Sequence, residues 1–260
     1  MTSPDRHELY QKAVQAPEAD IEFFTRIFRE HTGRKPLRLR EDFCGTALFS
    51  RTWAESDSER TAIAIDRDAA TLEWGRRRNL EEAGASIGRR VSLMEADVRE
   101  VRGPRADLAC AMNFSFCTLH RRRDLTRYFE AVHAGLVEDG LFVLELYGGT
   151  EAVVAIEERR EVEDFVYVWE QESYNPIDHR TRCHIHFELP NGRKLHRAFT
   201  YDWRLWSIPE LREMLSDAGF SDSEVYWEEV DDDGDGTGDY VRTEEEENQE
   251  GWLVYVVGLR

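Results

Sequence analysis

The sequence predicts an α/β fold: a mostly parallel sheet of seven strands with helices on both faces, plus an antiparallel β insertion after the fifth strand. Three observations point there. From about residue 37 to 147, short apolar runs alternate with helical patterns, the rhythm of strand–helix–strand units. After residue 160 the helices drop out, and strands follow one another through Asn175-Pro176-Ile177-Asp178 and Pro190-Asn191-Gly192, both strong turn sequences. The 260 residues are 41% apolar, with seven Trp, nine Tyr and thirteen Phe, which is ample for a packed core and excludes global disorder.

Taken in order, Ile21, Phe24, Ile27 and Phe28 fall at helical spacing, so an amphipathic helix is expected over 18–31. Strands are expected at 37–41, 61–66, 91–94, 106–112 and 141–147. Before the last of these, Leu125, Tyr128, Phe129, Val132 and Leu136 form the apolar stripe of a helix. The insertion reads as three strands, 164–171, 182–189 and 195–203. Alternation there sets Cys183, Ile185, Phe187 and Leu189 on one face and Arg182, His184, His186 and Glu188 on the other, taken as the wet one. Ser207-Ile208-Pro209-Glu210 is a capping box that starts a helix with Leu211, Met214, Leu215 and Ala218 inward and Gly219 as its stop. Strands at 225–230 and 252–259 close the chain, joined by a long acidic loop. The division is therefore 1–36, an N-terminal helical segment and candidate lid; 37–150, the core; 151–206, the insertion expected to cover the site; and 207–260, the rest of the core with an acidic loop over 228–250.

Composition narrows the partners. The chain carries 53 acids against 34 basic residues, a formal charge of −19, and Lys12, Lys35 and Lys194 are its only lysines. So acidic a surface repels phosphate backbones and anionic membranes, so neither nucleic acid nor membrane is an expected partner. Between Glu228 and Glu250 lie twelve acids and one arginine, Arg242, a net −11, so much of the charge is one surface loop. Cys44, Cys110, Cys117 and Cys183 form no C-x-x-C pair, as expected of reduced thiols in a cytoplasmic protein. Neither a secretory leader nor a membrane-length apolar run is visible. Asp231, Asp233, Asp235 and Gly236 begin like a calcium loop. Arg242 falls where the bidentate Glu is needed, and strands rather than helices flank it, so a calcium hand is rejected and no metal is expected.

The informative segment is Glu41-Asp42-Phe43-Cys44-Gly45-Thr46-Ala47, which ends the first strand and opens a helix. That is where an open α/β sheet binds ligands, with backbone N–H groups facing the crevice. Twenty-one residues after Gly45 the second strand ends in Asp66, followed by Arg67. The third strand is followed by Asp97-Val98, and the fourth runs into Asn113-Phe114. These segments, with Gly140-Leu141-Phe142-Val143-Leu144-Glu145 after the next helix, resemble the class I S-adenosylmethionine-dependent methyltransferases, a Rossmann-like family. The match covers 37–147 well and the rest loosely. Phe43 and Ala47 stand where the family's first motif has glycines.

The resemblance implies S-adenosylmethionine as cofactor. Glu41 would orient the methionyl amino end, Gly45 would let the backbone approach, Asp66 would hold the ribose, and Asp97 and Val98 would meet the adenine. Phe43, Cys44, Thr46, Arg67, Asn113 and Phe114 would line the same crevice. The implied reaction moves a methyl group to a nitrogen or oxygen of a small-molecule acceptor, in a monomer or dimer. Tyr10, Trp169, Tyr174, Tyr201 and Trp206, with Trp203, are candidates for an aromatic acceptor wall suited to a methylammonium product. His184 and His186 are candidate bases. A dinucleotide oxidoreductase would need G-x-G-x-x-G, which 43–48 lacks. Asn113 falls where amino-group methyltransferases carry N-P-P-aromatic, without the prolines. The alternatives are a non-catalytic cofactor-binding partner protein, motivated by Phe43 and Ala47, and a protein-acceptor enzyme docking a basic partner on the acidic loop.

Overall fold

The computed structural model describes residues 5–230 and 236–260. Helices α1 (Arg6–Val14) and α2 (Pro17–Thr32) lead into β1 (Arg38–Asp42), α3 (Leu48–Glu55), β2 (Thr61–Asp66) and α4 (Ala69–Gly75). A π-helical continuation (Arg76–Glu81) and the short α5 (Ala85–Gly88) precede β3 (Val91–Glu95) and β4 (Ala106–Ala111). Then come α6 (Arg122–Gly135), β5 (Leu136–Gly148), β6 (Ile156–Val162), β7 (Phe165–Asn175), β8 (Arg180–Glu188) and β9 (Lys194–Arg204). The chain ends with α7 (Ile208–Asp217), β10 (Asp222–Val230), β11 (Gly236–Thr243) and β12 (Trp252–Leu259).

The main sheet runs β11-β10-β12-β5-β4-β1-β2-β3. The five strands β1 to β5 are parallel, while β12 and β10 are antiparallel to their neighbours. β4 is buried at every residue, as a strand covered on both faces must be. One face packs Phe24, Ile27 and Phe28 of α2 with Trp53 of α3; the other packs Tyr128, Phe129 and Val132 of α6 with Leu211 and Leu215 of α7. Chain order reverses between β1 and β4, so their carboxyl ends part to leave a crevice. The insertion is a separate antiparallel sheet, β6-β7-β8-β9, whose inner residues Phe165, Ile185 and Phe187 pack on Leu9 and Ala13 of α1.

The expected α/β architecture is present, with two corrections. The insertion has four strands rather than three: β6 reads Ile156-Glu157-Glu158-Arg159-Arg160-Glu161-Val162 and is an exposed edge without apolar alternation. The main sheet has eight strands rather than seven, because β11 rises inside the acidic segment and buries only Tyr240. Of the calcium-like run, 231–235 lies outside the described residues.

β1 is anchored by an unusual burial. Arg40 and Asp42 lie two apart on one face, both side chains 0% exposed, with Nε 2.9 Å from Oδ1. The guanidinium also donates to the carbonyls of Val101 (2.8 Å), Val98 (3.1 Å) and Ala131 (3.3 Å), and Tyr128 Oη donates to Asp42 at 2.9 Å. α6 passes so close that a Cβ at Gly135 would stand 2.8 Å from Arg40 Nη1. Losing the cation leaves a buried carboxylate unpaired, so Arg40→Met is expected to cost about 3–5 kcal/mol in urea denaturation. A cost under about 1 kcal/mol would show the pair to be incidental.

Candidate functional site

The turn after β1 is built from left-handed backbone. Phe43, Gly45 and Ala47 have φ of 55°, 53° and 56°. Phe43 and Ala47 thus keep the conformation a glycine would take, at a strain of order 1–2 kcal/mol each. The turn is tied from several sides. Cys44 N–H donates to Ile65 O (3.0 Å), Asn79 Nδ2 to Thr46 O (2.7 Å) and Gln11 Nε2 to Thr46 Oγ1 (2.7 Å). α4 packs tightly beneath it, where a Cβ on Gly75 would meet Thr46 O at 2.3 Å. Phe43 sets its ring edgewise on Tyr128, 5.4 Å between centroids.

Asp66, at the end of β2, accepts the Gly45 N–H on Oδ2 and the Asp68 N–H on Oδ1, both at 2.9 Å. Across the crevice Asn113 and Phe114 follow β4, again left-handed at φ 51° and 56°. Two successive non-glycine residues in that region are an observed strain at a strand end, the kind met at ligand sites.

These pieces enclose a cavity of about 320 Å³. Glu41, Phe43, Cys44, Gly45, Thr46, Asp66, Arg67 and Asn113 all line it. α1 covers it with Arg6, His7, Tyr10 and the following Gln15, and the insertion adds Phe199 and Tyr201. A second cavity of about 230 Å³ opens from it, sharing Tyr10, Asn113 and Tyr201 and adding Phe114, Tyr147, Tyr167, Trp169 and Trp203. Its aromatic wall is ordered: Tyr201 stacks on Trp203 at 4.5 Å, and Trp169 lies 5.8 Å from Trp203.

Several expected residues stand elsewhere. Asp97 is captured by Arg99, whose Nε lies 2.9 Å from Oδ1, and this neighbour holds its carboxyl below the usual range. Val98 is buried with its carbonyl spent on Arg40. Neither lines the cavity. His184 and His186 face away from it, because Ile185 between them points in. His184 is buried between Thr200 Oγ1 (2.9 Å) and Glu172 Oε2 (3.2 Å), and His186 meets Glu170 at 2.9 Å. The face expected to be wet is partly closed by these pairs, and neither imidazole reaches the crevice. Tyr174 lies beside His179, and Trp206 is core beneath the Arg204 guanidinium, 3.7 Å away, so neither joins the aromatic wall. Arg6, His7 and Phe199 also line the cavity, and no motif in the sequence marks them for it. For Arg6 and His7 the signal is the face of α1 beside Leu9 and Ala13; Phe199 comes from β9.

No family model matches the chain, and no curated protein matches it in sequence. Solved structures do match. A S-adenosylmethionine-dependent methyltransferase from Clostridium acetobutylicum superposes with TM-score 0.71 at 17% identity over 97% of both chains. The chain has the fold of the S-adenosylmethionine-dependent methyltransferases. CalS10, an amino pentose methyltransferase from Micromonospora echinaspora, matches with TM-score 0.69 and 16% identity over 100% of this chain and 98% of its own. The sugar N-methyltransferase KedS8 from a Streptoalloteichus species gives 0.65 and 18% over 100% and 94%. These alignments take in both sheets, so the methyltransferase fold here includes the insertion. Among the described residues no helix is long and apolar enough to cross a membrane.

Glu41 lies at the floor of the crevice, fully buried, and accepts from Ser50 N–H at 2.9 Å and from the Ser50 hydroxyl. Burial pushes its carboxyl up to about 8, against those hydrogen bonds. The folded chain therefore holds a proton there that the unfolded chain releases above its ordinary value. Stability from this group is full at acid pH and is lost as pH rises through about 8. In urea denaturation across that range, the protein is expected to lose stability relative to Glu41→Gln as pH rises; parallel pH profiles would contradict this.

Proposed function

We propose that the chain is a methyltransferase that binds S-adenosylmethionine in the 320 Å³ cavity and methylates a nitrogen or oxygen of a small-molecule acceptor held in the aromatic cavity beside it. The observation that carries this reading is the convergence of Asp66, the left-handed 43–47 turn and Asn113 on one crevice at the β1/β4 switch point. A carboxylate at the end of β2 suits a ribose diol, and the turn's close backbone suits a polar tail. The Asp97 carboxylate is tied to Arg99, so the adenine end is assigned to the Asp66–Arg67–Asp68 and Thr71 side of the cavity.

The sulfonium supplies both the methyl group and its leaving group when bound. The chain's own residues then position the reactants and exclude water. α1 roofs the cavity through Arg6, His7 and Tyr10 and is tied to the turn by Gln11, and Tyr201 lines both the cofactor side and the acceptor side. The aromatic wall favours a product carrying positive charge, as a methylated amine does. That CalS10 and KedS8 act on amino sugars or sugar nitrogens supports a small-molecule acceptor. The non-catalytic alternative loses its motive, because Phe43 and Ala47 hold the same left-handed backbone that glycines would.

Titration calorimetry with S-adenosylmethionine and S-adenosylhomocysteine is expected to show saturable binding. Asp66→Ala should weaken it at least about tenfold, roughly 1.4 kcal/mol. Unchanged affinity in that variant would refute the ribose assignment, and no binding to the parent protein would refute the function.

A further inference from the structure

A third cavity, about 230 Å³, lies between the α1–α2 linker and the carboxyl ends of β4, β5 and β12. Gln15, Met112 and Asn113 line both it and the cofactor cavity, so the two are neighbours across a single strand end. Its titratable lining is Asp20 from α2, Glu145 from β5, Glu228 from β10, Tyr240 from β11 and Tyr255 from β12, with no lysine, arginine or histidine.

The hydrogen-bond count is unbalanced toward acceptors. Glu145 is 7% exposed; one carboxyl oxygen accepts the Asn113 N–H, and among the described residues no donor reaches the other. Gln15 Oε1 is buried without a partner. Among the described residues Asp20 accepts only Tyr255 Oη, at 2.7 Å, and Glu228 accepts the Gly238 N–H at 3.1 Å. Burial pushes Asp20 to about 6 and Glu145 to about 8, and raises Glu228 as well; Asp20 and Glu228 add to the rise at Glu145. Buried acceptors without donors are costly, and buried carboxyls without a counter-charge are costlier. Among the described residues no three metal-ligating groups stand close enough to hold a metal ion. The carboxyls ring a space instead of converging on a point, which fits a cation larger than a metal and richer in N–H donors.

We propose that this cavity binds an alkylammonium ligand, with Glu145, Asp20 and Glu228 supplying charge and Gln15 Oε1 a further acceptor. An R–NH₃⁺ group brings three donors and one positive charge, the complement of that lining. The site is separate from the aromatic cavity given to the acceptor, and it does not rest on the methyltransferase reading.

The probe is methylammonium chloride, titrated into the full chain with and without S-adenosylhomocysteine, against sodium chloride as control. Saturable binding in the millimolar range is expected, tighter at alkaline than at acid pH because the carboxyls must ionise, and not competed by S-adenosylhomocysteine. Glu145→Gln should weaken it at least tenfold, and Asp20→Asn should weaken it too. S-adenosylhomocysteine affinity measured in the same samples shows that each variant is folded. No saturation, sodium binding equally well, or affinities unchanged in both variants would overturn the site. Loss of S-adenosylhomocysteine binding in the parent protein, with methylammonium still bound, would overturn the function and leave the site standing.

Discussion

The crevice depends on the buried ion pair of Arg40 and Asp42. A guanidinium at 0% exposure is tolerated only because its hydrogens go to Asp42 and to the carbonyls of Val98, Val101 and Ala131. Those partners belong to β1, the β3–β4 connection and α6, three segments that must agree on one position for β1. Strand alternation then turns Glu41 to the opposite face, onto Ser50 of α3. With β1 pinned on both faces, the chain leaves the sheet at one point, and the left-handed turn of 43–47 follows from there.

The electrostatics of the site follow from the same geometry. Acidic groups at the carboxyl ends of parallel strands are sheltered by helices, so Glu41 and Glu145 are both pushed toward about 8 by burial. Asp66 stands at the cavity wall and accepts from the amides of Gly45 and Asp68. Acids that do structural or recognition work are thus few and enclosed, while Glu229, Asp239, Glu244 to Glu247 and Glu250 are exposed to solvent.

Much of this was legible in the residues. The parallel strands announce themselves as short apolar runs, and Glu41 to Thr46, Asp66 and Asn113 meet in one cavity because each segment follows a strand to the same sheet edge. β6 and β11 were not legible, since edge strands exposed to solvent carry charges where buried ones carry Val and Ile. Asp97 pairs with Arg99 two residues on and does not line the cavity, a local pairing that strand order alone does not reveal. For His184 and His186 the alternation was right and the side was wrong, because period two separates two faces without saying which one looks into a cavity. Asp20, Glu145 and Glu228 are far apart in sequence and join only through the order β10-β12-β5 beneath α2, which no local pattern carries.

Hydrogen–deuterium exchange with and without S-adenosylhomocysteine tests the central claim most directly. The account predicts that the ligand slows exchange in residues 43–47, around 66–68 and across α1, which roofs the cavity, while β6 and β11 exchange as before. Protection absent from 43–47 and 66–68, or confined to the insertion, would contradict it.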